Sequence, residues 1–217
     1  MSEARASTQA LETQSNSTAQ RLIRKFSRGI EAYTRWLHTR WPAGTVEKLP
    51  QVAEDFSTVV PGLWVVGDLT GVPLLKFAAD GGARTARKIG ERRSKEGSIG
   101  KSRSESETHD LIIIGAGVSG MAAAIEARKS GLDFAVIESN EPFTTIVNFP
   151  KGKPIFTYPT GMTPSGDLQF QAEVKEPLLD ELREQTTEIA PQIAEVKQVQ
   201  RVDGAINVTL ASGAMMR

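Results

Sequence analysis

The sequence predicts an α/β protein in which a parallel sheet is joined to a small β-meander, with an amphipathic helix ahead of both. Three observations predict it. Residues 110–138 read as a short apolar strand, a glycine-rich turn, a small-residue helix and a second apolar strand, which together make a βαβ unit. Residues 63–89 read as another apolar strand, ending at Gly67-Asp68, followed by a helix. Residues 195–202 and 206–210 alternate in polarity around Asp203-Gly204, the pattern of two paired strands and a tight turn.

Composition supports a folded chain. Hydrophobic residues are 39% of 217, and 19 glycines bring the total near the share usual for globular domains. Lys plus Arg and Asp plus Glu are 26 each, so no global field draws the chain to nucleic acid or to an anionic membrane. The absence of cysteine excludes a disulfide framework, a thiolate metal cluster and a dithiol active site within these residues. His38 and His109 are isolated, so neither is read as a base or a metal ligand, and no metal is expected. The polar first twenty residues and the lack of a ~20-residue apolar run predict a cytoplasmic protein without a membrane span.

Along the chain, residues 1–18 are rich in Ser, Thr, Gln and Ala and read as a disordered tail. Residues 19–58 hold an amphipathic helix and a connector, with Leu22, Phe26, Ile30, Tyr33 and Leu37 on one stripe. That helix either packs on the domain or docks on a membrane surface or partner through Trp36 and Trp41. In residues 59–90, Leu63-Trp64-Val65-Val66 suits a buried strand, and the helix from Leu74 to about Ile89 is weakened by Gly81-Gly82. Residues 91–107 mix serine, charge and glycine as a flexible linker does. Residues 108–217 form the last domain, with a loop region to Gly166, a helix over 177–188 and the two paired strands.

The chemistry concentrates in Asp-Leu-Ile-Ile-Ile-Gly-Ala-Gly-Val-Ser-Gly, residues 110–120. Gly115 permits a tight turn, Gly117 lets a pyrophosphate approach the backbone, and Gly120 lets strand and helix pack closely. The helix that follows turns its free N–H groups and its dipole toward the phosphates, so Gly115, Ala116, Gly117, Val118, Ser119 and Gly120 are cofactor-binding candidates. Glu138, 23 residues after Gly115, suits the hydroxyls of an adenosine ribose.

The fingerprint alone leaves FAD and NAD undivided. Residues 61–86, Pro-Gly-Leu-Trp-Val-Val-Gly-Asp through to Ala86, resemble the second flavin motif of thioredoxin-reductase-like and ferredoxin–NADP-reductase-like flavoproteins, in the pyridine nucleotide-disulfide oxidoreductase class. The resemblance implies FAD, with Asp68 on the ribitol chain beside Gly67, and backbone amides around Leu75, Lys76 and Phe77 at the pyrimidine edge of the flavin. The Lys76 side chain is expected to be solvated. The segment 148–164 resembles the loop that passes the flavin ring, which makes Asn148, Tyr158 and Thr160 candidate ring contacts.

Two departures from the family pattern stand out. The Gly-Asp motif precedes the glycine fingerprint instead of following the nicotinamide domain, so the order is permuted. Neither a closing Ala-Thr-Gly-like strand nor a second glycine fingerprint occurs in the 217 residues, so the resemblance implies a truncated or split member. The expected function is the FAD-binding portion of an NAD(P)H oxidoreductase, with NAD(P)H bound only through a domain absent from these residues and no catalytic residue assigned. The alternatives are a non-catalytic dinucleotide-binding fragment that needs a partner domain and, ranked lower, a flavin monooxygenase. Expected partners are FAD and either a nicotinamide-binding domain or a second copy of the chain.

Overall fold

The computed structural model describes residues 48–97 and 108–217. The chain divides into two units, Met1–Lys48 and Leu49–Arg217, and all described residues except Lys48 lie in the second. The expected tail, the amphipathic helix with Trp36 and Trp41, His38 and linker residues 98–107 lie outside the described residues.

The run at 63–66 is not a strand of the sheet. Pro61-Gly62 makes a turn, with Gly62 at φ 91° and the Leu63 N–H on the Val60 carbonyl at 3.1 Å. That turn folds the run back on its own approach: Trp64 bridges to Ser57, and the Val65 N–H reaches the Phe56 carbonyl at 3.0 Å. A short 3₁₀ turn, Gly67–Thr70, follows. Helix α1 then spans Leu75–Lys95, passing straight through Gly81-Gly82 and six residues beyond Ile89. Its last turn carries Arg92, Arg93 and Lys95, where positive charge favours a helix C-terminus.

The βαβ unit follows as read: β1 (Leu111–Ile114), α2 (Val118–Lys129) and β2 (Phe134–Glu138). β1 and β2 pair in parallel with Leu111 opposite Phe134 and Ile114 opposite Ile137. The loop region holds one four-residue helix, α3 (Thr144–Val147), entered through the buried Phe143 at φ 60°. Helix α4 spans Lys175–Gln185, starting two residues earlier than its pattern suggested. A short β3 (Gln192–Ile193) joins the parallel sheet beside β2, giving the order β1-β2-β3. The meander is β4 (Val196–Val202), β5 (Ala205–Leu210) and β6 (Met215–Met216), antiparallel throughout. β3 and β6 are two residues each, too short to carry a readable alternation.

The sheet is packed on both faces. Ile113 and Val136 belong to the core shared with α1, α2 and α4, which also holds Met121, Phe143, Leu168, Leu178 and Leu182. Ile137, on the opposite face, packs with Val208 and Leu210 of the meander. The helix pair approaches unusually closely because its contact face is made of Ala79, Gly82, Ala83, Ala86 and Gly90, at helical spacing. A Cβ on Gly82 would stand 2.0 Å from the Ser119 carbonyl oxygen, and one on Gly90 would stand 2.8 Å from the Ser130 Cβ.

A mid-helix glycine sacrifices about 1 kcal/mol against alanine in backbone entropy, so Gly82→Ala would stabilise an isolated helix. Here the backbone carbonyl it meets cannot move aside as a flexible side chain does. Gly82→Ala should therefore destabilise the protein by about 2 kcal/mol or more in urea unfolding. Gly161→Ala, whose added Cβ meets nothing within 4 Å, should stay within about 0.5 kcal/mol of wild type.

Candidate functional site

The turn between β1 and α2 is built by its glycines. Gly115 adopts φ 98°, and its N–H donates to the Ile137 carbonyl at 2.7 Å, which locks the turn to the end of β2. A Cβ on Gly120 would stand 1.9 Å from the Gly115 carbonyl oxygen, so only glycine lets α2 start this close under the strand. Gly117 differs, since a Cβ there would meet nothing within 4 Å. Open space at this position is what a pyrophosphate needs to reach the backbone. Gly117 is also the N-cap of α2, the residue just before the helix, and no side chain caps the helix. The first-turn N–H groups of a helix lack intrahelical partners, so an anion is their natural acceptor.

Ala116 is fully buried; its carbonyl accepts the Phe143 N–H at 3.0 Å and its N–H donates to Glu138 Oε2 at 2.7 Å. The other Glu138 oxygen accepts the Asn140 N–H at 3.0 Å and the Ser139 hydroxyl at 3.2 Å. Burial raises the Glu138 pKa, but the bonds from Ala116, Asn140 and Ser139 outweigh it and hold the carboxyl below its ordinary value. Glu138 thus braces the turn from the β2 side while keeping a charged acceptor at the surface.

The Gly-Asp segment reaches the same place from the other side. Gly67 is buried at φ 76°, and a Cβ on it would stand 3.1 Å from the Ser119 Cβ. Ser119 Oγ is itself buried, without a hydrogen-bond partner among the described residues. Asp68 is exposed, and its carboxylate makes no hydrogen bond within the described residues. Gly67, Asp68, Leu75, Gly115, Gly117 and Ser119, with Val118 and Gly120, line one cleft of about 1720 Å³. That is larger than the ~300–1,000 Å³ of ordinary small-ligand pockets, and a dinucleotide is a large ligand.

The other expected residues lie outside that lining. Ala116 and Glu138 sit behind the turn, and Phe77 is exposed. The Lys76 side chain is buried instead of solvated, because its ammonium donates to the carbonyls of Pro159 at 3.0 Å and Thr160 at 3.3 Å. Of the loop candidates Tyr158 lines the cleft, whereas Asn148 and Thr160 do not. Phe149, Lys153 and Phe156 line it as well, and no periodicity in the sequence marks them. His109 lies at the margin of the cleft, with its N–H on the Arg217 carbonyl and its ring 3.3 Å from the Asp133 carboxylate. Among the described residues no group of His, Asp and Glu is arranged to hold a metal, and no helix is long and apolar enough to cross a membrane.

Residues 112–210, from within β1 to the end of β5, match the family described as pyridine nucleotide-disulphide oxidoreductase. The chain resembles that family. Bacillithiol disulfide reductase Bdr (YpdA) from Staphylococcus aureus is 26% identical over 51% of this chain and 35% of its own, with a TM-score of 0.42. A mutant flavin monooxygenase from Stenotrophomonas maltophilia is 18% identical over 51% of this chain and 36% of its own, with a TM-score of 0.41. The Bdr of Bacillus cereus is 24% identical over 50% of this chain and 36% of its own, with a TM-score of 0.38. The chain thus spans about a third of the length of these solved proteins. The comparison with curated proteins gave no match.

The bracing role of Glu138 carries a pH dependence. Its folded pKa is depressed, so its stabilisation is complete above the usual carboxylate range, about pH 4, and is lost as pH falls through the folded value. Wild type should melt above Glu138→Gln at pH 7, and the gap should narrow as pH falls below the usual carboxylate range. A gap that showed no narrowing at any pH down to acid unfolding would mean that Glu138 does not act through its charge.

Proposed function

We propose that this chain is a dinucleotide-binding unit that holds FAD and that depends on a partner domain for turnover of NAD(P)H. The observation that carries the reading is the convergence of three features on one cleft: the open space over Gly117, the uncapped N-terminus of α2, and the exposed Asp68 carboxylate, which follows the Gly67 packed against Ser119. The first two suit the pyrophosphate. Asp68 suits the ribitol hydroxyls, and the charged Glu138 at the end of β2 suits the adenosine ribose. Bound FAD would supply the hydride-accepting ring, and the residues of this chain would bind and orient it.

Partner dependence follows from what hydride transfer demands. The nicotinamide must be held about 3–3.5 Å from its acceptor in an aligned pose, and positioning of that kind supplies a large part of the rate. One glycine fingerprint occurs in the 217 residues, and it is committed to the flavin nucleotide. The match to an oxidoreductase family supports the class of reaction, and a second nucleotide cradle would come from another domain.

Calorimetric titration should give tighter binding of FAD than of FMN, which lacks the adenosine half. Gly117→Val should abolish FAD binding with little change in unfolding, because its side chain enters open space. Asp68→Ala should weaken FAD by about 1.5–3 kcal/mol, the range for a hydrogen bond to a charged group. Equal affinity for FAD and FMN, or none for either, would refute the dinucleotide assignment. Stopped-flow mixing of the FAD-loaded chain with NADH or NADPH under anaerobic conditions should show no rapid bleaching of the flavin. Rapid bleaching would overturn the dependence on a partner while leaving the FAD site intact.

A further inference from the structure

The cleft extends well past the glycine turn. It follows β1 along its length, from Gly115 at one end to His109 at the other, and the features that suit a pyrophosphate occupy only the first of these ends. β1 is an edge strand, paired with β2 on one side and with no described strand on the other. The Leu111 N–H reaches the Asp133 carbonyl at 3.3 Å and the Gly115 N–H reaches the Ile137 carbonyl at 2.7 Å, so the odd-numbered residues turn their backbone groups toward β2. Alternate residues of a strand bond to opposite sides, which leaves the N–H and C=O groups of Ile112 and Ile114 directed away from β2. Both residues line the cleft, and Ile114 is 49% exposed.

A second open edge lines the same cleft. In the run that Pro61-Gly62 folds back, the Leu63 carbonyl accepts the Thr58 N–H at 3.1 Å and the Val65 N–H donates to Phe56 at 3.0 Å. By the same alternation the N–H and C=O of Trp64 point away from residues 56–58, and neither has a backbone partner among the described residues. The Trp64 side chain packs on the cluster of Ile89 and Leu132 that Leu111 also joins, while a Cβ on Gly62 would stand 3.4 Å from Ile206 of β5. This run therefore flanks β1 from the helix layer to the meander. Between the two layers the cleft is apolar, lined by Ala86 and Ile89 of α1 and by Ile206 and Val208 of β5. One polar group breaks that lining: Thr85 is 7% exposed, and its hydroxyl is buried without a hydrogen-bond partner. A buried hydroxyl costs free energy until something bonds to it.

We propose, resting on the partner dependence above, that this part of the cleft receives one extended segment of the partner domain, added to the sheet beside β1. An apolar small molecule would cover Ile114 and Val208 but leave the backbone groups of Ile112, Ile114 and Trp64 unpaired, whereas a strand has donors and acceptors along both its edges. The strand would lie between α1 and the meander, as β1 does, so it needs apolar side chains on both faces. Its chemistry is a continuous run of about four Val, Ile or Leu residues, not an alternating one. The rest of the chain holds no such run. In residues 1–47 and 98–107 no more than two of Ala, Val, Ile, Leu, Met, Phe, Trp or Tyr stand together, and the runs at 63–66, 111–114 and 134–137 are already placed. The segment therefore comes from outside the 217 residues.

The test uses the full chain without FAD and a synthetic peptide, Lys-Thr-Val-Ile-Val-Val-Thr-Lys, with the same peptide N-methylated at alternate amides as its control. In the free chain the Ile112 and Ile114 amides should exchange with deuterium faster than that of Ile113, which is bonded to β2. The peptide should bind saturably, raise the urea midpoint and slow exchange at Ile112 and Ile114 by about tenfold or more, and the methylated peptide should do none of these. Ile114→Lys, which places a charge where the side chain is already half exposed, should keep the urea midpoint of the free chain and lose peptide affinity by about tenfold or more. Absence of binding, equal binding of the two peptides, or protection of Ile112 and Ile114 in the free chain would overturn the proposal. A dimer of the free chain that Ile114→Lys dissociates would also overturn it, by giving the edge to a second copy. Rapid bleaching of the FAD-loaded chain by NADH would remove the partner dependence, a result read without the peptide and separable from all of these.

Discussion

The contact on which the fold depends is the bare-backbone approach of α1 to α2. Gly82 lies where any side chain would strike the Ser119 carbonyl, and Gly90 and the alanines between them keep the two axes close along the whole seam. Ser119 lies within the glycine fingerprint, so the same contact that packs the helices sets the distance from Gly67-Asp68 to that fingerprint. An ion pair between a buried glutamate and a partly exposed arginine also ties the two helices. Glu126 of α2 is 2% exposed and is held by Arg87 of α1 at 3.1 Å, while Arg87 reaches the Ser165 carbonyl and the Asp167 N–H reaches Glu126. A charge this deeply buried is tolerated because each of its oxygens has a donor.

Any attraction of the glycine turn for an anion must be local. The chain has no net charge, so no global field draws anions to it. Beside the Arg92, Arg93, Lys153 and Arg201 that line the cleft, the turn itself offers the half-charge of the α2 dipole and a few oriented N–H groups, effective only within the first turn. Their orientation therefore matters more than their number. Gly115 is bonded to Ile137, and Ala116 to Glu138 and Phe143, so the turn is tied to β2 and to the entry of α3 before any ligand arrives. A turn held in this way loses little entropy on binding.

The βαβ unit was legible because its signals are local: apolar strands, glycines at fixed spacing and a small-residue helix, all within 29 residues of chain, 110–138. The run at 63–66 was misread because β propensity says a segment will be extended without saying what it pairs with. Pro61-Gly62 turned it onto residues 56–58 instead of into the sheet. Gly81-Gly82 counted against a helix for the same reason, since propensity prices the glycine and is blind to the helix that needs it small. The Lys76 side chain is a third case. Near a helix start a lysine is ordinarily solvated, and only the loop 83 residues away, with two carbonyls turned inward, makes burial favourable.

The permuted order of the two motifs loses its difficulty once the ends of the connecting segment are located. α1 finishes at Lys95 and β1 starts at Leu111, yet Arg93 and Asp110 form an ion pair, so the exit of the helix and the entry of the strand are neighbours. Asp110 also accepts the Asp133 N–H, which places the same carboxylate at the foot of β2. The connection from one motif to the other therefore has little distance to cover, and loop-closure entropy grows only slowly with its length. What makes the site is the seam between α1 and α2, and that seam is formed by side chains and backbone that carry no record of which helix came first in the chain. Gly67 reaches Ser119 because the helix that follows it presents the small face that Gly82 and Gly90 supply.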